Sequence, residues 1–298
     1  MAKNTRVSQP ANRFAEDEIT SFRCSDGVER KIHIWGPAKP KGVFLAVHGG
    51  LAHAGDWVTP ALHFKKKGWA TVSFDMHGHT GQVRVDIPSF KIFLDDLGLF
   101  LAWVKARYPK KPIVFLTHSM GALITAHFLL QRLPQGDPAV KGYIMSSPYF
   151  GNAVKVPKIL VALSKPMAAL LPKMKVPAPA LTGHLTHDAE ITARHYADEK
   201  DLYRATESSL RFGNALLKAH AELAATIHKW NQPLFMIVAG DDQLADVKVA
   251  EASAHKIRAD LLRYDFYPEN YHENFNEVNR AKIFKDIETW LKTKLKLR

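Results

Sequence analysis

One serine in this chain stands where its hydroxyl can be turned into a nucleophile. The run Ile113–Thr117 reads as a buried strand, passes directly into the turn Thr117-His-Ser-Met-Gly121, and a helix begins at once. A serine on such a strand-to-helix elbow sits on a sharp bend with its hydroxyl exposed above the carboxyl edge of a sheet. The two backbones approach closely there, so small residues are needed, and Gly121 and Ala122 meet that need. Ser119 is therefore the candidate nucleophile; the plainer alternative is a serine that only caps a helix. Thr117 stands where the usual Gly-x-Ser-x-Gly pattern has its first glycine. Its β-branched side chain must find space against the helix, or the turn must open slightly. His118 adjoins the serine in sequence but should point away, as a pocket or packing residue.

An activated serine needs a base and a group that orients the base. On an elbow of this kind the acid follows the serine along the chain, and the histidine follows the acid. The strand Leu234–Ala239 runs into Gly240-Asp-Asp-Gln-Leu-Ala-Asp246, where Asp242 is the chosen carboxylate and Asp241 and Asp246 compete with it. The strand Leu262–Tyr267 runs into a polar loop that holds His272, the last of fifteen histidines and the candidate base. A fourth part is the loop His48-Gly-Gly-Leu-Ala-His-Ala-Gly-Asp-Trp57 after the strand Val43–Val47. Glycines after a strand leave backbone N–H groups free to point at a ligand. We assign the amides of Gly50 and Met120 as oxyanion donors, each able to lower a barrier by about 3–4 kcal/mol. The alternative is a tight turn that merely uses glycine.

These pieces need a sheet to hold them. Short runs rich in β-branched and aromatic residues recur at Lys31–Trp35, Val43–His48, Ala70–Phe74, Ile113–Thr117, Tyr143–Ser146, Leu234–Ala239 and Leu262–Tyr267. Most are almost continuously apolar, as strands covered on both faces are. Helical patterns lie between them at Pro60–Lys67, Phe90–Arg107, Met120–Arg132, Val247–Ile257 and Asn279–Lys294. That alternation predicts a mostly parallel central sheet flanked by helices, an α/β fold. The short turn Gly36–Gly42 between the first two runs suggests an antiparallel start. The alternation stops over residues 151–230, which read as an inserted helical cap, or lid, without a convincing strand. Residues 1–150 and 231–298 form the core. Within the cap, Asn152–Gly183 has five lysines (Lys155, Lys158, Lys165, Lys173, Lys175), five prolines and no acidic residue. Pro166 and Pro172 should break any long helix there.

Composition narrows the function. With 298 residues, 46% hydrophobic and 23% charged, the chain can bury a large core, which excludes disorder as its main state. The lone Cys24 cannot form an internal disulfide, and the polar start Met1–Asp17 has no apolar run of signal-peptide length. A cytoplasmic protein without a membrane-spanning segment is expected. A net charge of +12 raises nucleic acid or an anionic membrane surface as partners. No zinc finger, RNP sequence or basic helical region accompanies it, so nucleic acid is set aside. His77-Gly-His79 and His184-Leu-Thr-His187 lack metal-site patterns, and phosphate-binding glycine loops are missing, so neither metal nor cofactor is expected.

The chain resembles the α/β-hydrolase superfamily, and within it the monoacylglycerol lipase and lysophospholipase-like group, also described as the serine aminopeptidase S33 type. The resemblance runs from about Phe44 to Trp290. It is carried by His48-Gly-Gly, Asp75-Met-His-Gly-His79, His118-Ser-Met-Gly121, Ser146-Ser-Pro148, Gly240-Asp-Asp242 and Tyr271-His-Glu273 with Asn276-Glu277. The cap segments Leu185-Thr-His-Asp188 and Tyr196-Ala-Asp198 are also typical. It implies Ser119, Asp242 and His272 as a triad with Gly50 and Met120 as oxyanion donors. Asp75-Met-His-Gly-His-Thr80 lacks the arginine common after the aspartate and has Thr80 for a second glycine, so Asp75 reads as a structural carboxylate. The expected reaction is cofactor-free hydrolysis of lipid esters through an acyl-enzyme, with peripheral membrane contact through the cap and an oligomeric state left open. A general carboxylesterase, an acyltransferase, an aminopeptidase and a non-catalytic binding protein on the same fold are the alternatives.

Overall fold

The computed structural model describes residues 13–154 and 158–297. The first twelve residues, and Lys155 and Pro157 of the segment read above as a cap, lie outside the described residues, as does the side chain of Lys158. The chain begins with strands β1 (Glu18–Arg23), β2 (Glu29–Trp35) and β3 (Val43–Val47), helix α1 (Val58–Lys65), β4 (Ala70–Phe74) and β5 (Arg84–Val85). Then come α2 (Lys91–Arg107), β6 (Ile113–His118), α3 (Met120–Arg132) and β7 (Val140–Ser146). Next are α4 (Lys158–Leu170), β8 (Lys175–Pro177), α5 (Ala189–Lys200), β9 (Glu207–Ser209) and α6 (Leu210–Thr226). The chain closes with β10 (Leu234–Ala239), α7 (Val247–Ala254), β11 (Leu262–Tyr267) and α8 (Arg280–Thr293).

Eight strands form one sheet in the order β1-β2-β4-β3-β6-β7-β10-β11. From β4 to β11 every pairing is parallel; β1–β2 and β2–β4 are antiparallel. The sheet thus starts antiparallel, but β2 reaches β4 and not β3, which lies one place further in. The strands read as continuous apolar runs because both faces are covered. Val114 and Leu116 of β6 face α1 and α8, where Phe64, Ile287 and Trp290 pack, while Ile113 and Phe115 face α2 and α3 with Phe100 and Leu123. Strand β1 escaped the sequence reading because it is an edge strand with Phe22 as its single buried side chain.

Residues 151–230 leave the sheet after β7 and return at β10. Contrary to the strand-free reading, β9 pairs with β5 and β8 in a small second sheet. Each of its strands has three residues or fewer, below the four that a hydrophobic alternation needs to show. Pro166 also does not end its helix: it lies inside α4, and bonding resumes beyond it, with Leu171 N–H donating to Met167 O at 2.7 Å. A proline removes one N–H and crowds one carbonyl but leaves later donors free. Packing of α4 along α6 supports the helix through that defect. Pro172 stands just past its end.

The parallel registers align the strand ends. Val47 pairs with Thr117, His118 with Ser146, Ser146 with Ile237, and Ala239 with Tyr267. The loops after β3, β6, β7, β10 and β11 therefore open on one edge, where ligands of open parallel sheets bind. Helix α3 is pressed onto β3 at that edge. A Cβ on Gly121 would stand 2.2 Å from the carbonyl oxygen of Val47 and 2.6 Å from that of His48. Both are backbone atoms and cannot step aside. Gly121→Ala should therefore cost about 3 kcal/mol or more of stability, read from urea unfolding. A variant within about 1 kcal/mol of the parent, the size of an ordinary substitution, would refute this packing.

Candidate functional site

Ser119 occupies the one-residue bend between β6 and α3 with φ +54° and ψ −120°. A non-glycine residue there carries strain of order 1–3 kcal/mol and persists only where its surroundings hold it. They do so through the main chain. Ser119 N–H donates to Ser146 O at 3.0 Å, and Ser119 O accepts from Ala122 N–H at 3.0 Å and Tyr149 N–H at 3.1 Å. The Ser119 side chain makes no capping bond to α3, so its hydroxyl is not spent on the helix. Thr117 fits because its side chain turns to the neighbouring strand, where Oγ1 donates to Ile144 O at 3.0 Å. The departure from glycine is accommodated without opening the elbow.

Asp242 and His272 meet across the next two loops. His272 Nδ1 lies 2.7 Å from Asp242 Oδ2, and Asp242 Oδ1 accepts the amides of Leu244 at 2.8 Å and Ala245 at 2.9 Å. Burial alone would raise the Asp242 pKa; the charge and hydrogen bond of His272 and the two amides outweigh it and hold the carboxyl below its ordinary value. The competing carboxylates have other work. Asp246 caps α7 through Val249 N–H, and exposed Asp241 accepts from Gln243. The loop carrying His272 is tied to the end of β7 by Asn274 Nδ2, which donates to Ser147 Oγ at 2.9 Å. His118 lies against His272, with ring centres 4.6 Å apart. Burial, with His272 beside it, pushes the His118 pKa down to about 3, which keeps this ring neutral.

The loop after β3 lies against the start of α3. A Cβ on Gly49 would stand 3.3 Å from Ser119 Cβ, and one on Gly50 would stand 3.5 Å from Met120 Sδ. Met120 is the first residue of α3, so its N–H has no partner within the helix. His48 locks this loop from below: Met76 N–H donates to His48 Nε2 at 3.0 Å, leaving Nδ1 to donate to Gly49 O at 2.8 Å. Asp75 adds a second lock by accepting Ala54 N–H at 2.9 Å.

Ser119, His118, His272, Gly50 and Met120 all line one cavity of about 390 Å³. Its apolar walls include Leu51, Trp57, Leu185, Phe212, Leu216 and Leu244. Leu185, Phe212 and Leu216 come from residues 151–230. That volume and that mix of apolar wall and few polar groups suit a small-molecule ligand.

Residues 38–279 match the family model for the serine aminopeptidases, S33. The chain belongs to that family. This S33 protein is an ester hydrolase of the monoacylglycerol lipase and lysophospholipase-like group. It is 29% identical over 255 residues to phospholipase YtpA of Bacillus subtilis, covering 84% of this chain and 95% of that protein. It is 25% identical to a monoacylglycerol lipase of Mycolicibacterium smegmatis, covering 91% and 95%. Among solved structures, a soluble variant of the Saccharomyces cerevisiae monoglyceride lipase, in complex with a substrate analogue, superposes with a TM-score of 0.78 at 19% identity, covering 93% and 94%. The Paleococcus ferrophilus monoacylglycerol lipase gives 0.76 at 17% identity, covering 89% and 98%. These two likenesses establish the α/β-hydrolase fold. Among the described residues, no helix of this S33 hydrolase is long and apolar enough to cross a membrane.

Beside the cavity the structure assembles a group that sequence reading missed. His53 Nε2 lies 3.2 Å from Asp56 Oδ1 and 3.4 Å from Asp198 Oδ2. These three have metal-compatible spacing, but Arg13 and Arg204 already pair the two carboxylates, at 2.7 and 2.9 Å. The cluster reads as a closed set of charges. The separation of 145 residues between His53 and Asp198 hides it from any motif. By contrast, His77 pairs with Arg30 and Asp26, and His187 stacks on Tyr271. Burial alone would lower the His53 pKa; Asp56 and Asp198 outweigh it and raise it to about 9. A histidine raised in this way contributes stability that is fully present below about 6.5 and is lost as pH rises through about 9. The rise from 6.5 to about 9 corresponds to on the order of 3 kcal/mol. Urea unfolding of the parent should weaken by that order between about pH 6 and about pH 9.5. His53→Gln should flatten this slope; an unchanged slope would remove His53 as its source.

Proposed function

We propose that this protein hydrolyses the ester bond of single-chain acyl lipids, monoacylglycerols or lysophospholipids, through a serine acyl-enzyme. The observation that carries this reading is the 2.7 Å His272–Asp242 contact, with His272 lining the same largely apolar cavity as an uncapped, strained Ser119. With Nδ1–H given to Asp242, Nε2 is the basic nitrogen of His272. It takes the Ser119 proton as Oγ attacks the ester carbonyl, and the amides of Gly50 and Met120 receive the charge on the carbonyl oxygen. The imidazolium returns that proton to the leaving alcohol as the C–O bond breaks. Water then enters, gives a proton to His272 and attacks the acyl carbon. The proton goes back to Oγ as the fatty acid leaves.

The names of the relatives, a phospholipase and a monoacylglycerol lipase, support a lipid ester over a peptide. The apolar residues that 151–230 contribute to the cavity support reading this segment as a cap over an acyl site. Its outer face supports docking at a membrane surface, as expected of a cytoplasmic enzyme with a lipid substrate. Leu170 and Leu171 are 80% and 55% exposed near Lys165 and Lys173.

Fatty-acid release should be measured on matched monoacylglycerols, lysophospholipids and short aryl esters, with Ser119→Ala beside the parent. Lipid turnover that falls by on the order of 10⁴-fold or more in the variant is expected. Turnover of short esters alone would demote the reading to a general esterase. Transfer of the acyl group to an added alcohol in preference to water would make it an acyltransferase. Activity that survives in Ser119→Ala would move the nucleophile elsewhere.

A further inference from the structure

A single nitrogen joins the two loops that flank the candidate nucleophile. Arg204 Nη2 donates to Asp56 Oδ2 at 2.9 Å and to Glu273 Oε1 at 2.9 Å. Asp56 belongs to the loop that carries Gly50, and Glu273 directly follows His272. Arg204 itself comes from the inserted segment, between α5 and β9. We propose that Arg204 is a positioning residue, supplied by the insertion, that sets the base loop and the Gly50 loop at their working separation; this rests on the reading of Ser119, His272 and Gly50 given above.

Three features support it. First, each carboxylate is fixed at a second point. Glu273 Oε2 accepts from Asn276 Nδ2 at 2.6 Å and lies 2.8 Å from His195 Nε2, while Asp56 Oδ1 faces His53. Neither acid is a loose surface group following a mobile cation. Secondly, the main chain reinforces the same bridge. Ala205 N–H donates to Leu51 O at 2.9 Å, and Glu273 N–H donates to Leu185 O at 2.8 Å. Thus one residue on either side of α5 holds each loop, and the guanidinium lies between them. Thirdly, Arg204 and Glu273 are buried and Asp56 nearly so. A buried cation is tolerated only when paired, and its removal leaves carboxylates that must repel each other or take up protons. Asp56 and Glu273 are both held well below their ordinary pKa values, against burial, with Arg204 among the charges responsible. Both therefore stay charged, and the bridge stays attractive.

Because one nitrogen makes both contacts, a compact ammonium in its place retains part of the function. A neutral side chain retains none. A displacement of about 1 Å between catalytic groups costs on the order of 10²-fold in rate. The second-order rate of capture by a small fluorophosphonate reads the base, the nucleophile and the oxyanion donors without the lipid pocket. Arg204→Met should slow that rate by about 30- to 100-fold, with kcat on a short aryl ester falling in step and KM within about twofold. Arg204→Lys should recover most of the loss, and added guanidinium ion should accelerate Arg204→Ala. Should Arg204→Met fail to fold, Glu273→Gln keeps the shape, removes one charge of the bridge and should show the same fall in kcat at constant KM. A parental capture rate in Arg204→Met or in Glu273→Gln, with labelling lost in Ser119→Ala, overturns the proposal and leaves the nucleophile reading standing. Loss with neither lysine nor guanidinium recovery also overturns it, since the residue is then needed only for packing. Labelling that persists in Ser119→Ala overturns the reading of the site and the proposal with it.

Discussion

The contact of α3 with β3 at Gly121 is the constraint on which the site depends. Two backbones pass at a distance that leaves no room for a methyl group. That approach brings the helix start against the loop after β3, so Met120 and Gly50 come side by side. It also forces the chain to reverse in one residue, and that residue is Ser119 at φ +54°. The strain at Ser119 is thus a consequence of layer packing, held by main-chain bonds from β7 and α3. Those bonds cannot be met by an alternative rotamer, because none involves a side chain. The same sheet register that aligns β3 with β6 aligns β7, β10 and β11, so Asp242 and His272, just past the last two strands, arrive at the same edge as Ser119.

Burial of charge is the second constraint. The interior near this edge holds several carboxylates, and each is offset by a cation or by amide donors. Asp242 has His272 and two amides; Asp56 and Glu273 share Arg204; Asp198 has Arg13. Isolated, any of these would cost several kcal/mol. Paired, they hold segments remote in sequence to one another, and that is where residues 151–230 join the core most firmly. The net charge of +12 says nothing of this balance. The excess is carried by surface lysines, and Leu170 and Leu171 beside Lys165 and Lys173 mark where it meets an apolar patch.

What the sequence made legible is what local chemistry determines. Continuous apolar runs identify strands covered on both faces, and the elbow is visible because strand, serine, glycine and helix are contiguous. Asp242 and His272 were chosen by chain order and by their place just past a strand; the structure places their side chains 2.7 Å apart. The failures share a cause. Strand β1 is half solvent-facing, β8 and β9 are too short for periodicity, and the neighbour of β2 depends on where β4 inserts. Pro166 obeys its local preference only weakly because α6 packs along α4.

Buried ionic clusters are the extreme case of this limit. Arg13, His53, Asp56, Asp198, Arg204 and Glu273 sit in five different stretches of the chain, and nothing in one stretch names its partners in another. A motif can record only residues whose spacing is fixed by one element. Here the spacing is fixed by the fold, so the signal appears only after the loops are in place. One trace does survive in the sequence: Glu273 directly follows His272 in the loop after β11, where Glu277 is buried as well and is met by the amides of Tyr271 and Val278 and by His187. An acid forced indoors beside a histidine must have a cation, and His272 is already engaged by Asp242. The cation comes from another part of the chain: Arg204, between α5 and β9, donates to Glu273 Oε1 at 2.9 Å.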